Sequence, residues 1–158
     1  GAGGVASIPI QIAKHLGARV ITTASGPNQP YLRSLGADQV IDYTVTDFTT
    51  AVSDCDAVFD TVGGDVALRS FKVLKSGGRA AFIASGGQAP TTERIDVTSL
   101  RPAATRARAP LERVIELHKA GAIVVPPIKE YALADAVEAL RISEARHLQG
   151  KLVLKVRG

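Results

Sequence analysis

Six residues at the start of the chain have the types and spacing to hold a pyrophosphate. Gly1-Ala2-Gly3-Gly4-Val5-Ala6 puts glycines where a backbone must turn tightly and lie close to phosphate oxygens. Ala6 stands where a third small residue lets the following helix pack on its strand. A helix after such a turn aims its unpaired N–H groups and the positive end of its dipole at the anion. Where a dinucleotide lacks a 2′-phosphate, an acidic residue about 20 positions further on grips the ribose hydroxyl. Here that place reads Thr22-Thr23-Ala24-Ser25-Gly26, no Asp or Glu precedes Asp38, and the nearby charges Lys14, Arg19 and Arg33 are positive. A carboxylate would repel a 2′-phosphate, and its absence leaves room for one. The pattern points to an NADP(H) site.

The elements that must position these residues are legible behind them. Val5, Ile8, Ile12 and Leu16 recur at helical spacing, and Gly17 stands where a left-handed residue ends a helix. Pro9 lies near enough to the first turn to be tolerated. Val20-Ile21-Thr22-Thr23 is a β-branched run of the kind buried in parallel sheets. Gly-rich turn, helix, strand is the order of a dinucleotide fold. The strand that should precede Gly1 is missing and the sequence contains no Met, so the 158 residues read as the C-terminal part of something longer.

Strand and helix signals then alternate. A helix is expected over 30–35, closed by Gly36, then a strand at 40–43, a short helix at 48–52 and a strand at 57–61. A helix from Asp65 to Leu74 follows, with a turn at Ser76-Gly77-Gly78, a strand from Arg79 to Ala84 and a last strand at 95–98. Such alternation predicts a Rossmann-like, doubly wound parallel sheet with helices on both faces, lacking its first strand. Ligands lie at the carboxyl ends of such sheets, where Ser25, Tyr43, Thr61-Val62-Gly63 and Ser85-Gly86 fall. The polar, arginine-bearing stretch from Gln88 to Pro110 reads as the exit from the nucleotide domain. Beyond it come a helix at 111–120, a possible strand at Ile123-Val124-Val125, an amphipathic helix marked by Leu133, Val137 and Leu140, and a closing strand from Gly150 to Val156.

Composition bounds the class. At 46% hydrophobic and 22% charged residues the chain suits one globular core. Its net charge of +4 would fit nucleic acid, but aromatics are only 4% and the positive residues are spread along the chain, so an acidic cofactor is partner enough. No apolar run approaches the ~18 residues of a membrane span, and no signal-peptide pattern is present. A single cysteine, Cys55, suits a cytoplasmic setting and forms no internal disulfide.

Taken together, the motifs resemble the medium-chain dehydrogenase/reductase superfamily, and within it the zinc-free branch similar to NADPH:quinone oxidoreductases. The resemblance rests on Gly1-Ala2-Gly3-Gly4-Val5, Gln11-Ile12-Ala13-Lys14, Leu32-Arg33-Ser34-Leu35-Gly36-Ala37-Asp38 and Val40-Ile41-Asp42-Tyr43. Phe59-Asp60-Thr61-Val62-Gly63-Gly64, Leu74-Lys75-Ser76-Gly77-Gly78-Arg79 and Gly150-Lys151-Leu152-Val153-Leu154 extend it over nearly the whole chain. It implies an NADP-binding domain over 1–108 and, over 109–158, a segment returning to a GroES-like substrate domain. It implies that Val62, Gly63, Ser85 and Gly86 approach the nicotinamide half of the cofactor, and Ser25 and Tyr43 the adenosine 2′-phosphate. With Gly1, Gly3, Gly4, Val5, Ala6 and Thr61 these are the expected cofactor residues. The sequence departs from the family at Ala6, where glycine is commoner, and after Ser25, where Asn28 and Gln29 stand in place of a lysine. The implied activity is hydride transfer from NADPH to a quinone or an α,β-unsaturated carbonyl, with no catalytic residue named in this chain and a homodimer as the intact form. A non-catalytic nucleotide-binding module and a zinc alcohol dehydrogenase with ligands upstream stay as alternatives. An aspartate at position 24 is expected to move preference from NADP(H) toward NAD(H).

The remaining reactive side chains have plain readings. Cys55 lies between Asp54 and Asp56, which would raise its pKa and blunt it, and reads as the first residue of a strand. His15, His118 and His147 lack metal-ligand spacing. Asp60 reads as the residue that fixes the glycine turn after its strand.

Overall fold

The structure, a computed structural model, describes residues 1–103, 105–145 and 148–157. His147 therefore lies outside the described residues. By internal packing the chain divides into two compact units, residues 1–44 with 108–158, and residues 45–107.

In the first unit the glycine turn leads into helix α1 (Ser7–His15), strand β1 (Ile21–Ala24), helix α2 (Gln29–Ser34) and strand β2 (Gln39–Asp42). Gly17 and Gly36 close the two helices at φ +83° and +97°, a conformation in which a side chain would be strained. β1 and β2 pair in parallel, Ile21 opposite Gln39 and Ala24 opposite Asp42. Their core gathers Ala2, Ile10, Val20, Ala24, Leu32, Leu35, Ala37 and Val40. The face of α1 differs from the expected one: it buries Ser7, Ile10 and Gln11 and leaves Leu16 exposed.

The same unit contains helix α5 (Arg108–Lys119), strand β6 (Ile128–Ala132), helix α6 (Ala136–Glu144) and strand β7 (Lys151–Lys155). β6 and β7 pair in parallel, so β6–α6–β7 is a crossover unit. The expected strand at 123–125 is a loop instead. Ile123 is buried, and the peptide groups of Val124 are taken by the Gln11 side chain, which accepts from Val124 N at 2.8 Å and donates to Val124 O at 3.4 Å. Pro126 and Pro127 carry no N–H for a ladder, and pairing resumes only at Ile128. On α5 only Leu117 of the expected apolar face is buried; Leu111, Val114 and Ile115 are exposed.

The second unit holds helix α3 (Phe48–Ala51), strand β3 (Cys55–Asp60), helix α4 (Gly64–Ser70), strand β4 (Leu74–Phe82) and strand β5 (Thr98–Leu100). The three strands are parallel in the order β3-β4-β5. Ser76-Gly77-Gly78 is an irregularity inside β4 rather than a turn before it, because Cys55 faces Leu74 while Ala57 already faces Arg79. The last strand begins at Thr98, not Ile95. Arg94 ties this approach to the strand, donating to Leu74 O at 2.7 Å and Phe71 O at 2.9 Å while pairing with Asp96. Cys55 opens β3 as expected, with its thiol directed at Ser53 O at 3.9 Å.

This unit packs on Ala67, Phe71, Leu74, Ala80 and Phe82, with the Phe71 and Phe82 ring centroids 5.2 Å apart. Phe82 is 0% exposed, so Phe82→Ala removes a full aromatic contact area and leaves a cavity. We expect it to lower unfolding free energy by about 3–5 kcal/mol, against less than about 0.5 kcal/mol for the exposed Val45→Ala. Urea denaturation of the two variants checks this, and similar losses would contradict the packing described.

Candidate functional site: a glycine turn and two strand ends

The glycine turn is built by backbone. The Gly1 nitrogen donates to Thr23 O at 2.7 Å, and a side chain at Gly1 would run into Thr22 Oγ1. The far side of the turn is held by the residue that precedes β7. Gly4 N donates to Gly150 O at 3.0 Å, and Gly150 N donates to Ala2 O at 3.3 Å. The alkyl chain of Lys151 then crosses Gly4 so closely that a Cβ there would lie 2.5–2.8 Å from its carbons. Gly3, by contrast, faces open space.

Ser7 N closes the first helical turn on Gly3 O at 3.1 Å. The N–H groups of Val5 and Ala6 have no acceptor among the described residues. Ser7 is fully buried, and its Oγ has no hydrogen-bond partner among the described residues. The first turn of α1 carries no acidic residue, and Lys14 and His15 occupy its last turn. Two unpaired N–H groups, an orphaned hydroxyl and open space above Gly3 fit a bound phosphate group. Gly4 contributes differently: its N–H is already taken by Gly150 O, and its lack of a side chain lets Lys151 cross the turn.

The carboxyl end of β1 presents Ser25, whose Oγ accepts from Asn28 Nδ2 at 3.3 Å and so keeps its proton for another acceptor. Tyr43 N donates to Ala24 O at 3.3 Å, which sets Tyr43 beside Ser25 with its side chain half exposed. The structure thus brings Ser25, Asn28 and Tyr43 together. Ala24 is only 2% exposed and belongs to the core, so an aspartate there would enter the core rather than the site. The informative carboxylate substitution is Ser25→Asp.

The charges near these strands are arranged differently from the sequence expectation. Lys14 Nζ binds both oxygens of Asp38 at 2.9 and 3.0 Å, and Arg19 Nη2 donates to Gln39 Oε1 at 3.3 Å. Both cations sit at the amino ends of β1 and β2. Val20 N and Lys14 together hold the Asp38 carboxyl below the usual carboxylate range. At the opposite end Asp42 is held low by the hydroxyl and N–H of Thr44.

The second unit forms its own strand-end site. β3 ends at Asp60, 4% exposed, whose carboxylate accepts from Val62 N at 3.3 Å and Gly63 N at 2.8 Å. This is the structural part expected of Asp60. Gly63 adopts φ +79°, and a Cβ on it would lie 2.5 Å from Ala84 O. Thr61-Val62-Gly63 and the Ala84–Gly86 loop are therefore adjacent at the carboxyl ends of β3 and β4. Ser85 Oγ donates to Gln88 O at 2.8 Å, and Arg101 Nε donates to Gly86 O at 2.6 Å, fixing the second loop.

Gly150, Lys151, Ser7 and Asp42 were not singled out as site residues from the sequence. The signal for Gly150 and Lys151 is the Gly-Lys pair before the closing apolar run Leu152-Val153-Leu154. Their pairing with the glycine turn spans nearly the whole chain and has no local signature.

Parallel α/β crossovers and a glycine turn at a helix start make this a Rossmann-like chain. The family model for zinc-binding dehydrogenases matches residues 35–154. The chain is 36% identical over 158 residues to the chloroplastic NADPH-dependent alkenal/one oxidoreductase of Arabidopsis thaliana, a match covering 98% of this chain and 38% of that protein. It is 34% identical over 159 residues to the 2-methylene-furan-3-one reductase of Solanum lycopersicum, with the same coverage of both. Among solved structures it resembles the quinone oxidoreductase of Coxiella burnetii, with a TM-score of 0.86 at 34% identity over 99% of this chain and 50% of that one. The Escherichia coli quinone oxidoreductase complexed with NADPH superimposes with a TM-score of 0.82 at 28% identity, over 98% of this chain and 55% of that one. The chain belongs to the zinc-binding dehydrogenase family, within the medium-chain dehydrogenase/reductase superfamily, and is quinone oxidoreductase-like. It spans about two fifths of those curated relatives and about half of those structures.

Despite the family's name, no group of three or more His, Cys, Asp or Glu among the described residues is placed to hold a metal ion. No helix among them is long and apolar enough to cross a membrane.

Gly63 and Gly64 provide a direct check of the second loop. Gly63→Ala adds strain at positive φ and a collision with backbone, so we expect a loss of about 2–4 kcal/mol. Gly64 also has positive φ but opens to free space, so Gly64→Ala should lose about 1 kcal/mol. Equal losses in thermal or urea denaturation would contradict the close approach of Gly63 to Ala84.

Proposed function

We propose that this chain is the cofactor-binding part of an oxidoreductase that uses NADPH to reduce a quinone or an α,β-unsaturated carbonyl. The observation that carries the reading is the turn at Gly1–Ala6. Among the described residues it leaves the N–H groups of Val5 and Ala6 and a buried hydroxyl unpaired at a helix start, beside a strand end with a hydroxyl proton to give. The family and the alkenal/one and quinone oxidoreductase relatives support the reaction class.

In this reading Val5 and Ala6 donate to the pyrophosphate, Gly3 admits it closely, Gly1 and Gly4 let the turn that cradles it pack on Thr22 and Lys151, and Ser25, Asn28 and Tyr43 face the 2′-phosphate. For Thr61, Val62, Gly63, Ser85 and Gly86 the proposed contact is the nicotinamide half. NADPH supplies the hydride when bound, and the protein orients and shields it. No side chain of this segment is assigned a proton transfer. Residues 1–108 form the nucleotide-binding domain and 109–158 the segment returning to a substrate domain. A homodimer acting in the cytoplasm on a small molecule, without nucleic acid or membrane, completes the proposal.

Cofactor choice tests it. One charge-assisted hydrogen bond to the 2′-phosphate contributes about 1.5–3 kcal/mol. Titration calorimetry on the intact protein should therefore show NADPH binding roughly ten-fold or more tighter than NADH. Ser25→Asp should reverse the order by repelling the phosphate and offering the ribose an acceptor. Equal affinities for the two cofactors, or a Ser25→Asp protein that keeps its NADPH preference, would overturn the reading.

A further inference from the structure

No Asp or Glu precedes Asp38, which suggests a 2′-phosphate pocket free of negative charge. The pairing of β1 with β2 changes that. Ala24 lies opposite Asp42, so Asp42 leaves its strand at the same carboxyl end as Ser25. The carboxylate packs on the turn that carries Ser25: a Cβ on Gly26 would lie 3.2 Å from Asp42 Oδ2. Its other oxygen accepts from Thr44 N at 2.9 Å and Thr44 Oγ1 at 2.6 Å. The Gln29 side chain and the Gly26 N–H also face it. Lys14 and Arg19 are tied to Asp38 and Gln39 at the far ends of the same strands and do not neutralise it. Arg33 is held on α2, donating to Gln29 Oε1 at 3.3 Å.

We propose that Asp42 is a specificity-determining residue, a fixed negative charge beside Ser25 that weakens binding of the 2′-phosphorylated cofactor and leaves the unphosphorylated one unaffected. This rests on the placement of the adenosine 2′-phosphate at Ser25 in the proposed function. The geometry separates Asp42 from the acidic residue that grips a ribose hydroxyl. Oδ1 is already occupied by two donors from Thr44 and Oδ2 lies against the Gly26 turn, so neither oxygen is offered to a ribose. What remains is charge acting through space. Between this partly buried carboxylate and a phosphate a few ångströms further on, screened by water, the repulsion is worth about three- to ten-fold in a binding constant.

Asp42→Asn isolates that charge. The amide oxygen still accepts from Thr44 N and Oγ1, so that anchor is kept, while the amide nitrogen that takes the place of Oδ2 gives up its acceptor role toward the Gly26 N–H. In titration calorimetry on the intact protein, NADPH should bind about three- to ten-fold tighter to Asp42→Asn than to the parent, while NADH should stay within about two-fold. The gain should shrink as salt is raised. Asp42→Ser, which also removes the charge, should shift the NADPH-to-NADH ratio in the same direction and serves if the Asn variant fails to fold. An unchanged ratio in the variants, or equal shifts for both cofactors, would overturn the inference and leave Asp42 a turn residue. If the parent binds NADPH tightly and only the variants disappoint, this inference alone fails. If the parent binds neither cofactor, the functional reading fails with it.

Discussion

Gly4 N–H and Gly150 N–H, donating to Gly150 O and Ala2 O, hold the two ends of the chain's first unit together. The glycine turn depends on this reciprocal pair. It takes the N–H of Gly4, whereas those of Val5 and Ala6 have no acceptor among the described residues. It also brings Lys151 across Gly4. Gly150 sits at φ +77°, and a side chain on it would collide with Pro127 O. A glycine far from the motif in sequence is thus as necessary to the turn as the motif glycines themselves.

Parallel pairing is the second constraint. A parallel ladder puts the carboxyl ends of neighbouring strands side by side, and with them whatever residues follow. In the first unit this assembles Ser25, Asn28, Asp42 and Tyr43; in the second it assembles Thr61-Val62-Gly63 with Ala84–Gly86. Sorting by strand end also explains the electrostatics. Lys14 and Asp38, far apart in sequence, meet at the amino end of the first pair, whereas Asp42 is left at the carboxyl end without a basic partner among the described residues. Counting charges along the chain gave the site the wrong neighbours.

Features governed by neighbours in sequence were legible. The β-branched run ending at Ala24, the glycine closures of α1 and α2, the strand ending at Asp60 and the role of Asp60 in the following turn all follow from local chemistry. What was not legible was governed by distant partners. Ile123-Val124-Val125 has strand composition, yet Val124 pairs with Gln11, 113 residues away, and the strand forms beyond Pro127. Ile95 looks apolar enough for a strand but is fully exposed, because Arg94 binds back onto Phe71 and Leu74 and delays pairing until Thr98. Helical spacing located α5 but not its buried face, since Leu117 alone of its expected stripe is covered. At the site, residue types were readable and their neighbours were not.

A crystal structure of the intact protein with NADPH would show whether the glycine turn holds the pyrophosphate. Pyrophosphate oxygens should lie within hydrogen-bond distance of Val5 N or Ala6 N, and 2′-phosphate oxygens within reach of Ser25 Oγ and Asn28 Nδ2. Density for the nucleotide away from the Gly1–Ala6 turn, or a 2′-phosphate turned away from Ser25, would contradict the account.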